Sequence, residues 1–184
     1  MKETFLNFKI LRLTMHRTLY WPNNTRELRI VWSDLIYKRM EEEALKSIEE
    51  DLERYEILIG TERENVFPCE RLIPFERLKD EDIIKERERC GSGLFINLNF
   101  DHLLRYLIKE MGEKEKAIVS HSHIYQTSVP AEDDCIKSLE RMCVGLTFKY
   151  DKFHKRLFAT GYKGKELIVV YYNDEKISPI FEFK

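Results

Sequence analysis

The sequence has no cysteine pair spaced C-x-x-C among its four cysteines, and no apolar run that approaches the length of a membrane span. Its amino terminus lacks the pattern of a secretory signal. The formal net charge is only −2, so no excess of basic residues favours nucleic-acid binding. We therefore expect a reduced, cytoplasmic protein that binds neither nucleic acid nor a membrane.

What the sequence does contain is typical of one globular domain. The chain has 184 residues, of which 43% are hydrophobic, and this length is enough to bury a sizeable core. Apolar alternation predicts strands, and apolar residues at helical spacing predict three helices between them. We therefore expect an α/β protein with a single mixed sheet and flanking helices. Residues 1–26 are predicted to form an N-terminal strand and turn extension, and residues 27–184 the main domain.

Several segments carry specific predictions. Strands are predicted at residues 5–13, 27–32, 57–59 and 94–97, and a last strand at residues 180–183. The densely charged stretch at residues 79–89 predicts a solvated loop or an exposed helix.

One stretch carries metal-binding residue types at a suggestive spacing. His121 and His123 follow the apolar run 117–119, and Asp134 lies in the first turn of the next predicted helix. Residues i and i+2 of a strand point to the same side, so the two imidazoles can reach one point. Two imidazoles and one carboxylate form the ligand set of an open, catalytic zinc site. An H-x-H pair alone is more often a surface or core feature, and the carboxylate makes the pattern more specific.

The stretch reads H-S-H, seven residues, A-x-x-D, and resembles the signature of the JAB/MPN (JAMM) metalloproteases, H-x-H, seven residues, S-x-x-D. The resemblance extends over roughly residues 27–172. It implies a cytidine-deaminase-like fold, with zinc held by His121, His123 and Asp134. The family hydrolyses isopeptide or peptide bonds next to ubiquitin-like proteins.

The resemblance also implies a catalytic glutamate. The family carries a glutamate seven residues before a strand-ending glycine, and Glu53 stands in that position relative to Gly60. This chain departs from the family at three places: Glu56 replaces a glycine, Ile124 a proline and Ala131 a serine. The family serine stabilises the tetrahedral intermediate, so its replacement leaves Ser128 or a backbone N–H as the alternative donor.

The function implied by the resemblance is zinc-dependent cleavage after the C-terminal tail of a ubiquitin-like protein, with Glu53 accepting a proton from the attacking water. The expected partners are the ubiquitin-like protein, its conjugates and the E1/E2-like enzymes of the same pathway. The stretch at residues 79–89 lies where a family insertion contacts that partner.

Two other functions remain open, and a third is disfavoured by the sequence. The first alternative is a catalytically silent MPN-type scaffold that binds a partner. The second is a hydrolase that uses the same site on a small molecule, such as a cysteine adduct. A nucleotide deaminase is disfavoured, because Leu72 stands where the second cysteine of its P-C-x-x-C ligand pair would be.

Overall fold

The computed structural model describes residues 24–90, 93–124, 128 and 130–179, and within these residues the chain forms eleven strands and four helices. The strands are β1 (Asn24–Trp32), β2 (Tyr55–Gly60), β3 (Val66–Cys69), β4 (Arg71–Ile73), β5 (Ile84–Cys90), β6 (Gly93–Leu98), β7 (Lys116–Ser122), β8 (Val144–Asp151), β9 (Arg156–Lys163), β10 (Glu166–Tyr172) and β11 (Glu175–Lys176). The helices are α1 (Asp34–Glu50), α2 (Phe75–Asp80), α3 (Phe100–Glu110) and α4 (Glu132–Glu140).

Nine of these strands form one mixed sheet. Its order is β3-β1-β10-β9-β8-β7-β2-β4, and β11 pairs with β10. The pairs β1–β3, β1–β10 and β7–β8 are parallel, and the other pairs in the sheet are antiparallel. Strands β5 and β6 form a separate antiparallel pair. The structure confirms an α/β protein with one mixed sheet and flanking helices.

Helix α1 covers one face of this sheet. It begins after Ser33, whose side chain accepts a hydrogen bond from the Ile36 N–H and satisfies one of the free donors at the helix start. It ends at Asp51, which has φ 51° in the left-handed region. Buried Met40 and Ala44 pack with Ile30 and Phe148 of the sheet in the larger of the hydrophobic clusters. This core fixes the position of α1 beneath the central strands.

The opposite face carries the second core. Ile57 and Ile59 of β2 and Val119 of β7 pack against Leu103 and Leu107 of α3. The alternation along β2 and β7 therefore divides the strands between the two cores, because successive side chains point to opposite faces. In the described part of the chain, no helix has the length and apolar composition to cross a bilayer.

Strand β2 lies beside β7, and Ile57 pairs with Val119. Gly60 ends β2, where the chain passes so close to Pro68 that a Cβ atom would collide with the Pro68 carbonyl. A glycine is required at this close approach. The pairing brings the segment before β2 level with the end of β7.

The charged stretch at residues 79–89 differs from its prediction. Only its first residues belong to a helix, α2, and most of the remainder forms β5, which pairs with β6. The charged composition of this segment does not predict a strand. It forms one because its hairpin partner β6 supplies the backbone hydrogen bonds that an isolated strand lacks. The predicted strands at residues 5–13 and 180–183 lie outside the described residues, so the proposed N-terminal extension stays a prediction.

Candidate metal centre

Three of the four residues predicted for the catalytic centre meet at the end of β7. The Nε2 atoms of His121 and His123 lie 3.0 Å apart. The Oδ2 atom of Asp134 lies 3.6 Å from the His121 Nε2 atom and 3.7 Å from the His123 Nε2 atom. Both histidines are buried and the Asp134 side chain is 17% exposed. These three side chains could hold a metal ion.

The spacing of these atoms agrees with the bond lengths of zinc. In a tetrahedral site with bonds of about 2.1 Å, ligand atoms lie about 3.4 Å apart. The three observed separations average close to this value, and a point slightly off their plane lies about 2.1 Å from all three atoms. A set of three protein ligands leaves the fourth tetrahedral position open. The donor geometry therefore fits an open zinc site.

The histidines are held by the sheet on both sides. His121 pairs with Tyr55 of β2 and with Thr147 of β8. One residue past the end of β7, the His123 N–H still donates to the Phe148 carbonyl at 2.8 Å. The backbone of both ligands is therefore fixed by strand pairing, and no flexible loop separates them.

Asp134 is positioned by the start of α4. Ala131 immediately precedes the helix, and its N–H donates to the Asp134 Oδ2 atom at 2.8 Å. This contact is half of a capping box, in which a side chain three residues into a helix satisfies the backbone N–H before it. Burial opposes ionisation of Asp134, but attraction to His121 and His123 outweighs it and holds the pKa below its ordinary value. The carboxylate is thus anionic at neutral pH, as a metal ligand must be.

Glu53 lies on the segment that leads into β2. Its neighbour Arg54 aligns with Ser122: the Arg54 N–H donates to the Ser122 Oγ atom at 2.8 Å, and the Ser122 N–H donates to the Arg54 carbonyl at 2.9 Å. Tyr55 stacks on His121 with ring centroids 5.3 Å apart. Continuing the alternation of β2 back by two residues from Tyr55 assigns Glu53 to the face of Tyr55 and of His121. Glu53 is buried, with 7% exposed.

The other acid of this segment points the opposite way. Glu56 pairs with Ser120, whose hydroxyl donates to the Glu56 backbone carbonyl at 2.9 Å. The Glu56 side chain is fully buried, and neither carboxyl oxygen has a hydrogen-bond partner among the described residues. Burial and then repulsion from Glu43 raise its pKa well above the ordinary value. Glu56 and the candidate metal ligands therefore lie on opposite faces of the sheet.

Ser128 lies over the metal face. Thr147 points to the same side as His121, because aligned residues of a parallel pair share a face. The Thr147 hydroxyl donates to the Ser128 carbonyl at 2.5 Å. The Ser128 hydroxyl is buried and has no hydrogen-bond partner in the described part of the chain. Ala131 is also buried and brings no hydroxyl of its own.

A hydrogen-bond network supports the two histidines from the opposite face of the sheet, and the sequence did not predict it. The Ser122 Oγ atom lies 2.6 Å from the Ser47 Oγ atom of α1, and the Ser47 hydroxyl donates to the Leu52 carbonyl at 2.7 Å. One hydroxyl between the two ligands therefore joins α1, the Glu53 segment and β7. A small polar residue between two strand histidines was the available signal.

Arg54 completes this support. Its guanidinium group is 2% exposed and forms ion pairs with Glu43 and Glu50 of α1 and with Glu76 of α2. It also lies 4.2 Å from the centroid of the Phe75 ring. A buried charge is tolerated only when it is paired in this way. The Glu53 segment is thus clamped to two helices.

Comparison with known proteins adds no relative. Neither the models of protein families nor the curated proteins include a match to this chain.

Proposed function

We propose that the protein is a zinc-dependent isopeptidase or peptidase of the JAB/MPN type, which acts in the cytoplasm on the C-terminal tail of a ubiquitin-like protein. The observation that carries this proposal is the arrangement of His121, His123 and Asp134, whose three ligand atoms have the separations of an open zinc site.

The chemistry needs a Lewis acid, and the donor set supplies its ligands. When bound, zinc lowers the pKa of a coordinated water toward neutrality and polarises a carbonyl group. The two buried imidazoles and the anionic Asp134 bind this ion, and the backbone pairing of β7 keeps them in place. Asp134 brings one negative charge, which compensates part of the charge of the ion.

Glu53 is the proposed general base. It accepts a proton from the attacking water and delivers it to the leaving amine. Two features support this role: Glu53 lies on the metal face, and the Arg54 ion pairs hold its segment against two helices. Because Glu56 points to the other face, the proposal assigns it no role in proton transfer.

Ser128 is the proposed donor to the developing oxyanion. The buried Ser128 hydroxyl has no partner among the described residues, which costs free energy that a hydrogen bond to a substrate would recover. Its carbonyl is fixed to Thr147, so the residue is held over the face that carries the ligands. Ser128 thereby takes the role that Ala131, which has no hydroxyl, cannot perform.

The substrate assigned by this proposal is an extended tail joined to a lysine or to further residues. Such a tail can run along a sheet edge with main-chain hydrogen bonds. The partners are the ubiquitin-like protein, its conjugates and the E1/E2-like enzymes that form them.

The test combines metal analysis with hydrolysis. Purified protein is analysed for zinc and incubated with ubiquitin that carries a C-terminal aminocoumarin amide, as a fluorogenic probe. We expect about one zinc per chain and release of the dye, both abolished in a variant with His121→Ala and His123→Ala. Zinc without hydrolysis of this probe or of a panel of ubiquitin-like fusions would instead favour the silent scaffold, consistent with Ala131. Absence of zinc would refute the proposal.

A further inference from the structure

The face that carries the metal ligands continues along β8 and β9 to the hairpin turn between them. Thr147 of β8 lies beside His121 and points to the same face. Two residues further along β8, Lys149 returns to this face, and its antiparallel partner Phe158 lies beside it. Arg156, two residues before Phe158, follows on the same face. A surface therefore runs outward from the metal centre toward the turn.

Aromatic and cationic side chains contact one another along this surface. The Arg156 guanidinium lies 4.6 Å from the centroid of the Phe158 ring. The His154 ring meets Phe158 edge-on at 6.1 Å, and Phe153 meets His154 edge-on at 5.0 Å. Phe153 is 88% exposed, which is unusual for a side chain of this size. Lys149, Phe153, His154, Arg156 and Phe158 are called the hairpin stripe here.

The turn at the end of the stripe is internally bonded. The Asp151 Oδ1 atom accepts from the backbone N–H groups of Phe153 and His154 at 2.8 and 3.0 Å. Its Oδ2 atom lies 2.9 Å from the His154 Nδ1 atom. Phe153 is therefore exposed on an ordered turn. A partner that binds it would lose little backbone conformational entropy in this turn.

Charge is concentrated on the same hairpin. Asp151 is the sole acid between residues 149 and 158, and the turn uses its carboxylate. Four cationic residues share this segment: Lys149, Lys152, Lys155 and Arg156. The whole chain has a net charge of −2, so this hairpin stands out as a local cationic surface.

We propose that the hairpin stripe docks an extended acidic segment of a protein substrate, with an aliphatic side chain of that segment packed against the exposed Phe153 ring. Carboxylates pair with the cations, and the planar Arg156 group, already stacked on an aromatic ring, is suited to bidentate contact. Docking itself requires only the stripe, whereas its use in bringing a scissile bond to the metal rests on the proposed function. The segment would approach from the β8 side of β7, opposite Glu53.

The shape of the stripe favours a peptide over an anionic membrane. Phe153 and His154 project at the turn, but Lys149 and Phe158 lie lower on the sheet face and are partly buried. A flat bilayer would reach the turn and leave the lower residues uncovered. An extended chain can follow the face of the hairpin along its whole length.

Binding is measured first, without any enzymatic reaction. A fluorescein-labelled peptide of alternating Glu-Glu-Leu units is titrated with the full-length protein, and its anisotropy is followed. Phe153→Ser removes the apolar contact and Arg156→Glu reverses a charge, so each is expected to weaken binding at least tenfold. Both sites are exposed, so the fold should be preserved in both variants. The matched controls, Ile108→Ser and Lys109→Glu on α3, are equally exposed and are expected to bind as the native protein does.

The outcomes separate the alternatives. Native protein that fails to bind the peptide, or stripe variants that bind it as tightly, would overturn the docking surface. Association with vesicles of phosphatidylserine and phosphatidylcholine, without peptide binding, would replace it by a membrane surface. Zinc content and cleavage of the aminocoumarin probe are measured on the same samples. If the native protein holds no zinc and does not cleave the probe, the proposed peptidase function is refuted. Peptide binding would still test the docking surface independently.

Discussion

Replacing Glu56 by methionine should make the protein more stable, and increasingly so as the pH rises. The Glu56 carboxyl is fully buried without a hydrogen-bond partner among the described residues. Burial, followed by repulsion from Glu43, raises its pKa well above 4.5, while attraction to Arg54 opposes the shift. In the unfolded chain the same carboxyl ionises near pH 4.5. Its contribution to stability is therefore complete below about pH 4.5 and is lost as the pH rises through the folded pKa.

The size of the effect follows from proton linkage. While the unfolded state has lost this proton and the folded state has kept it, each pH unit lowers the free energy of unfolding by about 1.4 kcal/mol. The loss begins near pH 4.5 and continues until the pH reaches the folded pKa, so its total depends on how far burial raises that pKa. Methionine has a similar length and carries no titrating group, so Glu56→Met should lose none of this stability.

Urea unfolding followed by circular dichroism at pH 5, 6, 7 and 8 measures the difference. The other titrating groups are present in both proteins and cancel in the comparison. Glu56→Gln is the matched control: it removes the titration but leaves a buried polar amide, so it should be independent of pH relative to Glu56→Met and less stable. If the native protein and Glu56→Met changed in parallel with pH, the carboxyl would not be desolvated and our account of this strand would be wrong.

Three further predictions concern the metal centre. Glu53→Gln should keep the fold and zinc while hydrolysis falls by about 10²-fold or more, whereas Glu56→Gln, whose side chain points to the other face, should retain turnover; the reverse result would contradict the strand register. Ser128→Ala should lower turnover by about 10²-fold, and Ala131→Ser should leave both zinc binding and turnover unchanged, since Ser128 already supplies the hydroxyl; normal turnover in Ser128→Ala, with faster turnover in Ala131→Ser, would remove Ser128 as the donor. Removal of zinc by a chelator should lower the melting temperature, and zinc at a hundred times its dissociation constant should restore about 2.7 kcal/mol; an unchanged melting temperature would argue against a bound ion in the folded protein.

The grouping of His121, His123 and Asp134, which could hold a metal ion, could be predicted from the sequence because its geometry is local. His121 and His123 are two residues apart on a strand, and Asp134 lies at a helix start, so the alternation of a strand and one loop bring them together. The role expected of Glu53 requires β2 to lie beside β7, and the two strands do pair. The roles of these residues in catalysis stay predictions.

Long-range contacts were not accessible in the same way. No local pattern marks Arg54 for burial, yet its side chain is buried and paired with acidic residues of α1 and α2. The strand β5 was hidden by its charges, because its hydrogen bonds come from a partner strand and its composition does not reveal them. In both cases the deciding interaction joins segments that no local pattern connects.

The position of β1 in the sheet has a consequence for how the protein is made. This strand pairs in parallel with β10, from which it is separated by most of the described chain. During synthesis on the ribosome its buried side chains, Leu28, Ile30 and Trp32, lack that neighbour until the last strands emerge. The entropy of closing so long a loop grows slowly with length, so stability suffers little, but folding rate falls steeply when contacts are distant. We expect the yield of native protein in cells to depend on chaperones that shield this strand, and to improve when translation is slowed by cooling.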